Sequence, residues 1–326
     1  RFSEAFQFHV RLVRSLPESV RFIAAPIAGK QVWSQRIGSI DFPLAVAVRE
    51  GVFTVASSDG TVAAFQADTG REVWRGRVGS AGRFVFQPAV FGDAVFAAAA
   101  DGTVVKLQAG RNVWKSSVDM PISGGVGSNG RLVVVGSPKG DVLALDAESG
   151  KMKWRVSVNA EILAAPVVSD GMVVVRSADS RLFGLDPADG KRRWVYQRAL
   201  PALSLRSSAG VVQEGNAVFA GFPGGKLVAV NAINGSLMWE GAVAVPRGAT
   251  ELERIADITS LPVLGSRAAC AVAYQGRIAC FDLANGSTLW ARDMSSSRGL
   301  DQDGRHVFVT DEKGSVHALD LSTGSS

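Results

Sequence analysis

The amino-acid sequence predicts an all-β protein, a β-propeller made of four-stranded blades. Three observations lead to this prediction. One segment recurs along the chain with a period of roughly 40 residues, every copy alternates short strands with turns, and nearly every copy ends on a tryptophan. A repeat of that length with four strands in each unit is typical of a propeller blade.

The clearest copy of the repeat covers residues 139–154, KGDVLALDAESGKMKW. A Lys-Gly turn leads into an apolar strand, Asp-Ala-Glu-Ser-Gly makes a second turn, and a short strand ends at Trp154. The copy ending at Trp114 is two residues shorter in its turn, and the seventh copy, ALDLSTG, stops just before its tryptophan would fall. Together with a short strand before each hairpin, the copies predict seven blades.

The tryptophans occupy one position of the repeat. We interpret them as wedges between adjacent blades, because an element present in every repeat serves packing first. The alternative is a ring of tryptophans around a ligand. The chain has seven of them, and they are Trp33, Trp74, Trp114, Trp154, Trp194, Trp239 and Trp290.

The two ends of the repeat predict how the ring closes. Trp33 stands ahead of the first hairpin, while the last hairpin lacks a tryptophan of its own. We therefore expect the segment KQVWSQRIG to complete the final blade beside VHALDLS, leaving no free sheet edge. Residues 30–326 are predicted to form a single propeller domain, and residues 1–29 stay an unassigned N-terminal segment. Charged residues interrupt residues 1–22, so no signal peptide is predicted, and we expect a mature or trimmed protein.

Composition narrows the classes of partner. The hydrophobic fraction is 47% and the net charge is +5, without the Lys/Arg cluster by which proteins grip nucleic acid. No apolar run has the length of a membrane-spanning helix. We therefore expect no nucleic-acid partner and no transmembrane segment.

The two cysteines, Cys270 and Cys280, flank one hairpin turn almost symmetrically. Facing each other across neighbouring strands, they would form a disulfide in an oxidising compartment. The alternative is a packing role, because Cys280 takes the small-residue position that Ala64, Ala144 and Ala229 hold in other copies.

Signals for enzymatic chemistry are few. The three histidines lack metal-ligand spacing, and no nucleophile or phosphate-loop motif is present. Gly125, Gly127 and Gly130 spell GxGxxG, but a strand rather than a helix is predicted to follow, which argues against a dinucleotide site. Aspartates that precede the turn glycine, such as Asp146, are predicted to accept backbone hydrogen bonds. We expect no catalytic residue, no metal and no cofactor.

The repeat is interrupted in two places. The spacing between tryptophans is 40 or 41 residues as far as Trp194, then 45 and 51. The extra residues fall in the first long loop (residues 196–210) and the second long loop (residues 241–262). Both loops leave equivalent strands of consecutive blades, so we expect them to be neighbours on one face.

The composition of the two loops predicts a protein-binding patch. Apolar anchors with an arginine, beside carboxylates, are typical of protein interfaces rather than of catalytic pockets. The alternative is that the two leucines of the first loop pack inward. The candidate residues are Leu203, Leu205, Arg206, Glu251, Glu253 and Asp257.

In these loops the sequence resembles the BamB family, propeller lipoproteins of the β-barrel assembly machinery of the bacterial outer membrane. The resemblance lies in PALSLRSS at 201–208, in TELERIADIT at 250–259 and in the repeat from about residue 30 onward. It implies that Leu203, Leu205, Arg206 and Asp257 contact a periplasmic POTRA domain of the barrel subunit, by strand addition and salt bridges. Thr259 stands where the family often has a second aspartate, and the family usually has eight blades.

The resemblance also implies a function and a location. We expect a non-enzymatic scaffold that assists insertion of β-barrel proteins and is tethered to the periplasmic face of the outer membrane by a lipid absent from this chain. Unfolded outer-membrane proteins are a further expected partner, although no residue pattern locates their site. The alternatives are a quinone-dependent dehydrogenase, whose propeller shares the repeat, and a propeller that binds a small ligand in its channel.

Overall fold

A computed structural model describes residues 30–39, 46–78 and 88–326 of the chain. Every regular element in these ranges is a β-strand, and the strands form seven antiparallel sheets. The all-β, blade-by-blade architecture predicted from the repeat is thus confirmed. The described ranges hold no helix long and apolar enough to cross a membrane. Residues 1–29, which the sequence left unassigned, lie outside the described residues.

The chain divides into two compact units, and the boundary falls between Val195 and Tyr196. The first unit, Val32–Val195, contains four sheets of four strands, each in the order of the chain. These strands are β1 (Ala47–Arg49), β2 (Val52–Ala56), β3 (Thr61–Gln66) and β4 (Glu72–Arg77); β5 (Ala89–Phe91), β6 (Ala94–Ala98), β7 (Thr103–Gln108) and β8 (Arg111–Ser117); β9 (Gly127–Ser128), β10 (Leu132–Gly136), β11 (Asp141–Asp146) and β12 (Met152–Ser157); and β13 (Val167–Val168), β14 (Val173–Arg176), β15 (Leu182–Leu185) and β16 (Arg192–Tyr196).

The second unit includes Tyr196–Ser326 and contains three sheets. Two of them have four strands and the last has three. These strands are β17 (Val212–Glu214), β18 (Ala217–Phe222), β19 (Lys226–Asn231) and β20 (Leu237–Ala242); β21 (Val263–Leu264), β22 (Ala268–Val272), β23 (Arg277–Asp282) and β24 (Thr288–Asp293); and β25 (Leu300–Gln302), β26 (His306–Thr310) and β27 (Val316–Asp320).

The structure corrects the prediction that the segment around Trp33 forms a closing strand. Residues 30–39 carry no strand, so the fourth strand expected for the last sheet is absent from the described residues. Side chains rather than a backbone ladder hold this segment on the first sheet. Trp33 Nε1 donates to the Ala67 carbonyl at 2.8 Å, and Gln35 Nε2 donates to the Gly70 carbonyl at 2.9 Å.

Tryptophans of the repeat act as wedges between consecutive sheets, as predicted. The indole N–H of five of them donates to a backbone carbonyl 31–44 residues later, in the turn of the next sheet, at 2.8–3.1 Å. The buried apolar clusters likewise join two consecutive sheets. The observed donor and acceptor pairs are Trp33 with Ala67, Trp114 with Ala147, Trp154 with Pro187, Trp239 with Leu283, and Trp290 with Leu321.

In three sheets the second strand is buried along its whole length. In β10 every residue is buried, and the same holds for β6 and β22. Burial on both faces follows from packing of each sheet between two neighbours, and it explains the runs of valine and alanine that replace strict alternation. The turns follow the sequence prediction: Asp146 Oδ1 accepts the Ser149 backbone N–H at 2.9 Å.

The glycines of GxGxxG serve packing. The strand β10 follows them, and a Cβ added to Gly127 would lie 2.0 Å from the Pro166 carbonyl oxygen, so only glycine permits this approach of two sheets. Cys270 and Cys280 are direct register partners on β22 and β23, and the structure joins them in a disulfide with 4.0 Å between their Cα atoms. Cys280 also pairs with Trp290, as Ala64 pairs with Trp74 in the first sheet.

Candidate protein-binding site

The two long loops touch each other. The Leu205 backbone N–H donates to Asp257 Oδ2 at 2.6 Å, and the Ser207 hydroxyl donates to the Thr259 carbonyl at 3.3 Å. Both contacts bridge 52 residues of sequence. The prediction that the loops are neighbours is therefore confirmed.

Asp257 is the residue that joins the loops, and its side chain is buried. Only 2% of the residue is exposed. While Oδ2 accepts the bond from Leu205, Oδ1 accepts the Gly224 backbone N–H at 2.9 Å, from the β18–β19 turn. A buried carboxylate needs such donors, because removal from water without partners is costly. Asp257 thus fixes the first loop to the blade rather than presenting its charge to solvent.

Apolar residues on either side of Asp257 anchor the second loop. Ile255 and Ile258 are buried, and Ile258 packs so closely on Gly221 of β18 that a Cβ there would lie 2.1 Å from its Cγ2. The Ile258 backbone N–H donates to the Phe222 carbonyl at 3.4 Å. The sequence ERIADIT thus divides into an exposed first part and a buried second part.

The first loop presents side chains to solvent. Leu203 is 49% exposed and Arg206 is exposed, while Leu205 is half-buried. The alternative that both leucines pack inward is therefore wrong for Leu203. Leu205 is less exposed than Leu203 because the hydrogen bond from its backbone N–H to Asp257 holds it against the second loop.

The tip of the second loop is an internally organised turn. Glu253 Oε2 accepts the Ala249 and Thr250 backbone N–H groups at 2.8 and 3.0 Å, and the Thr250 hydroxyl accepts the Glu253 N–H at 3.2 Å. The bonds from Thr250 and then Ala249 lower the pKa of Glu253. Glu251 pairs with Arg254 at 3.3 Å. Both predicted glutamates are exposed, yet both carboxylates already have partners within the loop.

Four exposed apolar residues of these loops were not among the site residues predicted from the sequence. Together with Leu203 they give the two loops five large hydrophobic side chains in contact with water. The sequence feature that could have identified them is their position in loops, because outside a strand no alternating pattern directs an apolar side chain into the core. These residues are Leu200 (43% exposed), Val245 (64%), Leu252 (66%) and Leu261 (42%).

An ionic cluster holds the start of the first loop. Arg198 and Lys226 both bind Glu240 of β20, the latter at 3.2 Å. Partial burial opposes the charged form of Glu240, but the hydrogen bonds from Arg198 and Lys226 outweigh it and lower the pKa. The first loop is thus attached at both Arg198 and Leu205, and the residues between them are held as a projecting segment.

Side chains that could bind a metal ion do not cluster in the described part of the chain. Within the described residues, no three His, Cys, Asp or Glu side chains converge in a way that suits a metal ion. A cavity of about 570 Å³ lies in the first unit, beside β1 and β5, and valine, alanine and proline with Arg49 line it. At the loop site the carboxylates of Glu251, Glu253 and Asp257 make bonds within the protein, and the exposed side chains include apolar residues and Arg206.

Comparison with known proteins gives the family. A family model described as outer membrane protein assembly factor BamB matches residues 18–109 and 104–326. The protein of that name from Bordetella pertussis is 44% identical over 259 residues, covering 78% of this chain and 67% of that protein. The one from Nitrosomonas eutropha is 45% identical over 242 residues, covering 74% of this chain and 59% of that protein.

Solved structures support the same family and fold. The crystal structure of BamB from Moraxella catarrhalis superposes with a TM-score of 0.69 at 28% identity, covering 73% of both chains. A computationally designed protein, Ika8, superposes with a TM-score of 0.67 at 16% identity, covering 89% of this chain and 86% of that one. At this low identity the similarity supports the fold alone. The chain spans about two thirds or less of the length of the two relatives described above. Because the family model matches most of its residues, the chain belongs to the BamB family of β-propeller proteins.

Proposed function

We propose that this protein is a non-enzymatic scaffold subunit in outer-membrane protein assembly, and that its two long loops form the surface for its protein partner. The observation that carries the proposal is the group of exposed apolar side chains, with Arg206, held in place by the buried carboxylate of Asp257. Exposed apolar side chains mark interaction surfaces, and arginine is enriched in protein interfaces. The names of its relatives supply the assembly role.

The proposed partner is a POTRA domain of the barrel subunit, with unfolded outer-membrane proteins as further clients. Leu203 and Arg206 are the direct contacts in this proposal, since both are exposed. Leu205 and Asp257 act by positioning, because one is half-buried and the other is buried. The proposed location is the periplasmic face of the outer membrane, through a lipid anchor.

The test is a pull-down with the isolated POTRA domains. We expect Leu203→Ala combined with Arg206→Ala to weaken capture at least about tenfold, as loss of two central anchors does. A matched control is Leu289→Ala combined with Arg292→Ala on β24, where the leucine and the arginine are equally exposed. Equal capture of both double variants would contradict the assignment. A dye-reduction assay with added quinone and Ca²⁺ should show no turnover.

A further inference from the structure

One position of the repeat differs between the two units. It is the residue directly after the turn glycine, which in the six four-stranded sheets immediately precedes or begins the outermost strand. In the first unit this residue is always basic, and in the second unit it is always serine. The basic residues, which we name the basic stripe, are Arg71, Arg111, Lys151 and Lys191; the serines are Ser236, Ser287 and Ser325.

The four residues of the stripe follow one another along the first unit. From the second sheet of this unit onward, the turn glycine lies against the outer strand of the sheet before it: a Cβ on Gly110 would lie 2.9 Å from the Arg75 carbonyl oxygen. In the same way, Gly150 lies against Trp114 and Gly190 against Trp154. Successive turns are therefore in contact through the intervening strand, and their basic residues lie on one continuous surface.

These side chains are exposed, although Asp68, Glu148 and Asp189 lie in the turns of Arg71, Lys151 and Lys191. All four residues of the stripe are exposed, and within the described part of the chain only Lys191 makes an ion pair, with Asp189 at 2.7 Å. Arg111 has no acidic residue in its own turn. Further exposed basic residues follow on the same strands, among them Lys115 and Arg192.

Exposed apolar side chains lie beside the stripe. Val73 is 47% exposed, Val113 50% and Met152 63%, each within two residues of a stripe residue. Basic and apolar groups mixed on one solvated surface, without a pocket, are suited to the boundary of an anionic bilayer, where lysine and arginine meet phosphate groups and apolar side chains enter the headgroup layer. Lysine is depleted in protein interfaces, whereas Lys115 lies on the same strand as Val113 and Lys151 directly precedes Met152.

We infer that the basic stripe of the first unit binds the surface of a bilayer that contains anionic phospholipid. The outer strands of the first four sheets then face lipid headgroups, whereas the serine-bearing strands of the second unit do not. This contact is separate from the loops proposed to bind a protein partner. It orients the propeller on the membrane in addition to any tether.

The experiment is vesicle co-sedimentation of the chain without any lipid attached. The probes are vesicles of phosphatidylcholine alone and vesicles of phosphatidylcholine mixed with phosphatidylglycerol. We expect binding to the mixed vesicles, loss of that binding as ionic strength rises from about 0.05 M to about 0.5 M, and little binding to pure phosphatidylcholine. The fourfold variant R71S, R111S, K151S and K191S should bind mixed vesicles at least about tenfold more weakly than the wild type.

Serine is the residue that the second unit carries at this position, so the fourfold variant should fold, and circular dichroism with a melting curve checks this. The matched control replaces four exposed arginines of the second unit, R267S, R292S, R298S and R305S, with the same change in net charge. Equal loss in both fourfold variants would show that net charge alone acts and would overturn the proposal. Unchanged binding of the stripe variant, or equal binding to both kinds of vesicle, would also overturn it.

Discussion

The Leu205 backbone N–H and Asp257 Oδ2 lie 2.6 Å apart, and this hydrogen bond joins the loop that precedes β17 to the loop that follows β20. The same carboxylate also holds the Gly224 N–H, so a single buried side chain fixes three segments. A contact residue would expose its charge, whereas Asp257 is 2% exposed. Its importance for binding is therefore expected to be indirect.

Asp257→Ala should release the first loop. The two backbone N–H groups lose a charged acceptor, and we expect a loss of about 1–3 kcal/mol in unfolding free energy. Hydrogen exchange at the Leu205 amide should rise, and binding of the POTRA domain should weaken although Asp257 does not touch it. Asp293→Ala, whose side chain is 92% exposed, is the control. Slow exchange at Leu205 in Asp257→Ala would contradict the positioning role.

Gly190→Ala should destabilise the first unit by more than about 1 kcal/mol. Its φ is +75°, and an added Cβ would lie 2.6 Å from Cε3 of Trp154. Gly171→Ala is the matched control, because nothing lies within 4 Å of its Cβ position and its φ is not positive. Urea titration measures both variants, and equal midpoints would show that the turn does not require glycine.

Glu240 should make stability depend on pH. Its pKa in the folded protein is lowered from 4.5, so its contribution is present at pH above that value and is lost as the pH falls through the folded pKa. Glu240→Gln removes this contribution. The difference in unfolding free energy between the wild type and the variant is therefore expected to be constant near pH 7 and to shrink at pH below about 4.5. A difference that stays constant down to pH 2 would exclude the ionic role.

Reduction of the disulfide should destabilise the second unit by about 2–4 kcal/mol. Cys270 and Cys280 are both fully buried, so reduction requires opening of the sheet and should be slow without denaturant. The measurement compares melting curves with and without dithiothreitol, and the Cys270→Ala, Cys280→Ala double variant serves as the control. In that variant dithiothreitol should have no effect.

The first sheet shows how far the sequence predicts this fold. Gly70 and Trp74 stand in the positions that the repeat assigns to them, and Ala64 pairs with Trp74 as the small residue of the pattern. The segment around Trp33 shows the limit, because its tryptophan takes the predicted wedge position while the strand expected around it is absent. A packing position depends on one side chain, whereas a strand needs a partner ladder that one segment does not specify.

The amino-acid sequence by itself determined the all-β class, the blade period, the tryptophan wedges and the place of the two long loops. These features depend on turn glycines, hydrogen bonds between residues close in sequence, and apolar patterns that recur from copy to copy, so comparison of the copies reveals them. Only the tertiary structure decided which loop residues face water. Leu203 and Asp257 both looked like contact residues, but the carboxylate turns inward because backbone N–H groups from two other segments, distant in sequence, require a buried acceptor.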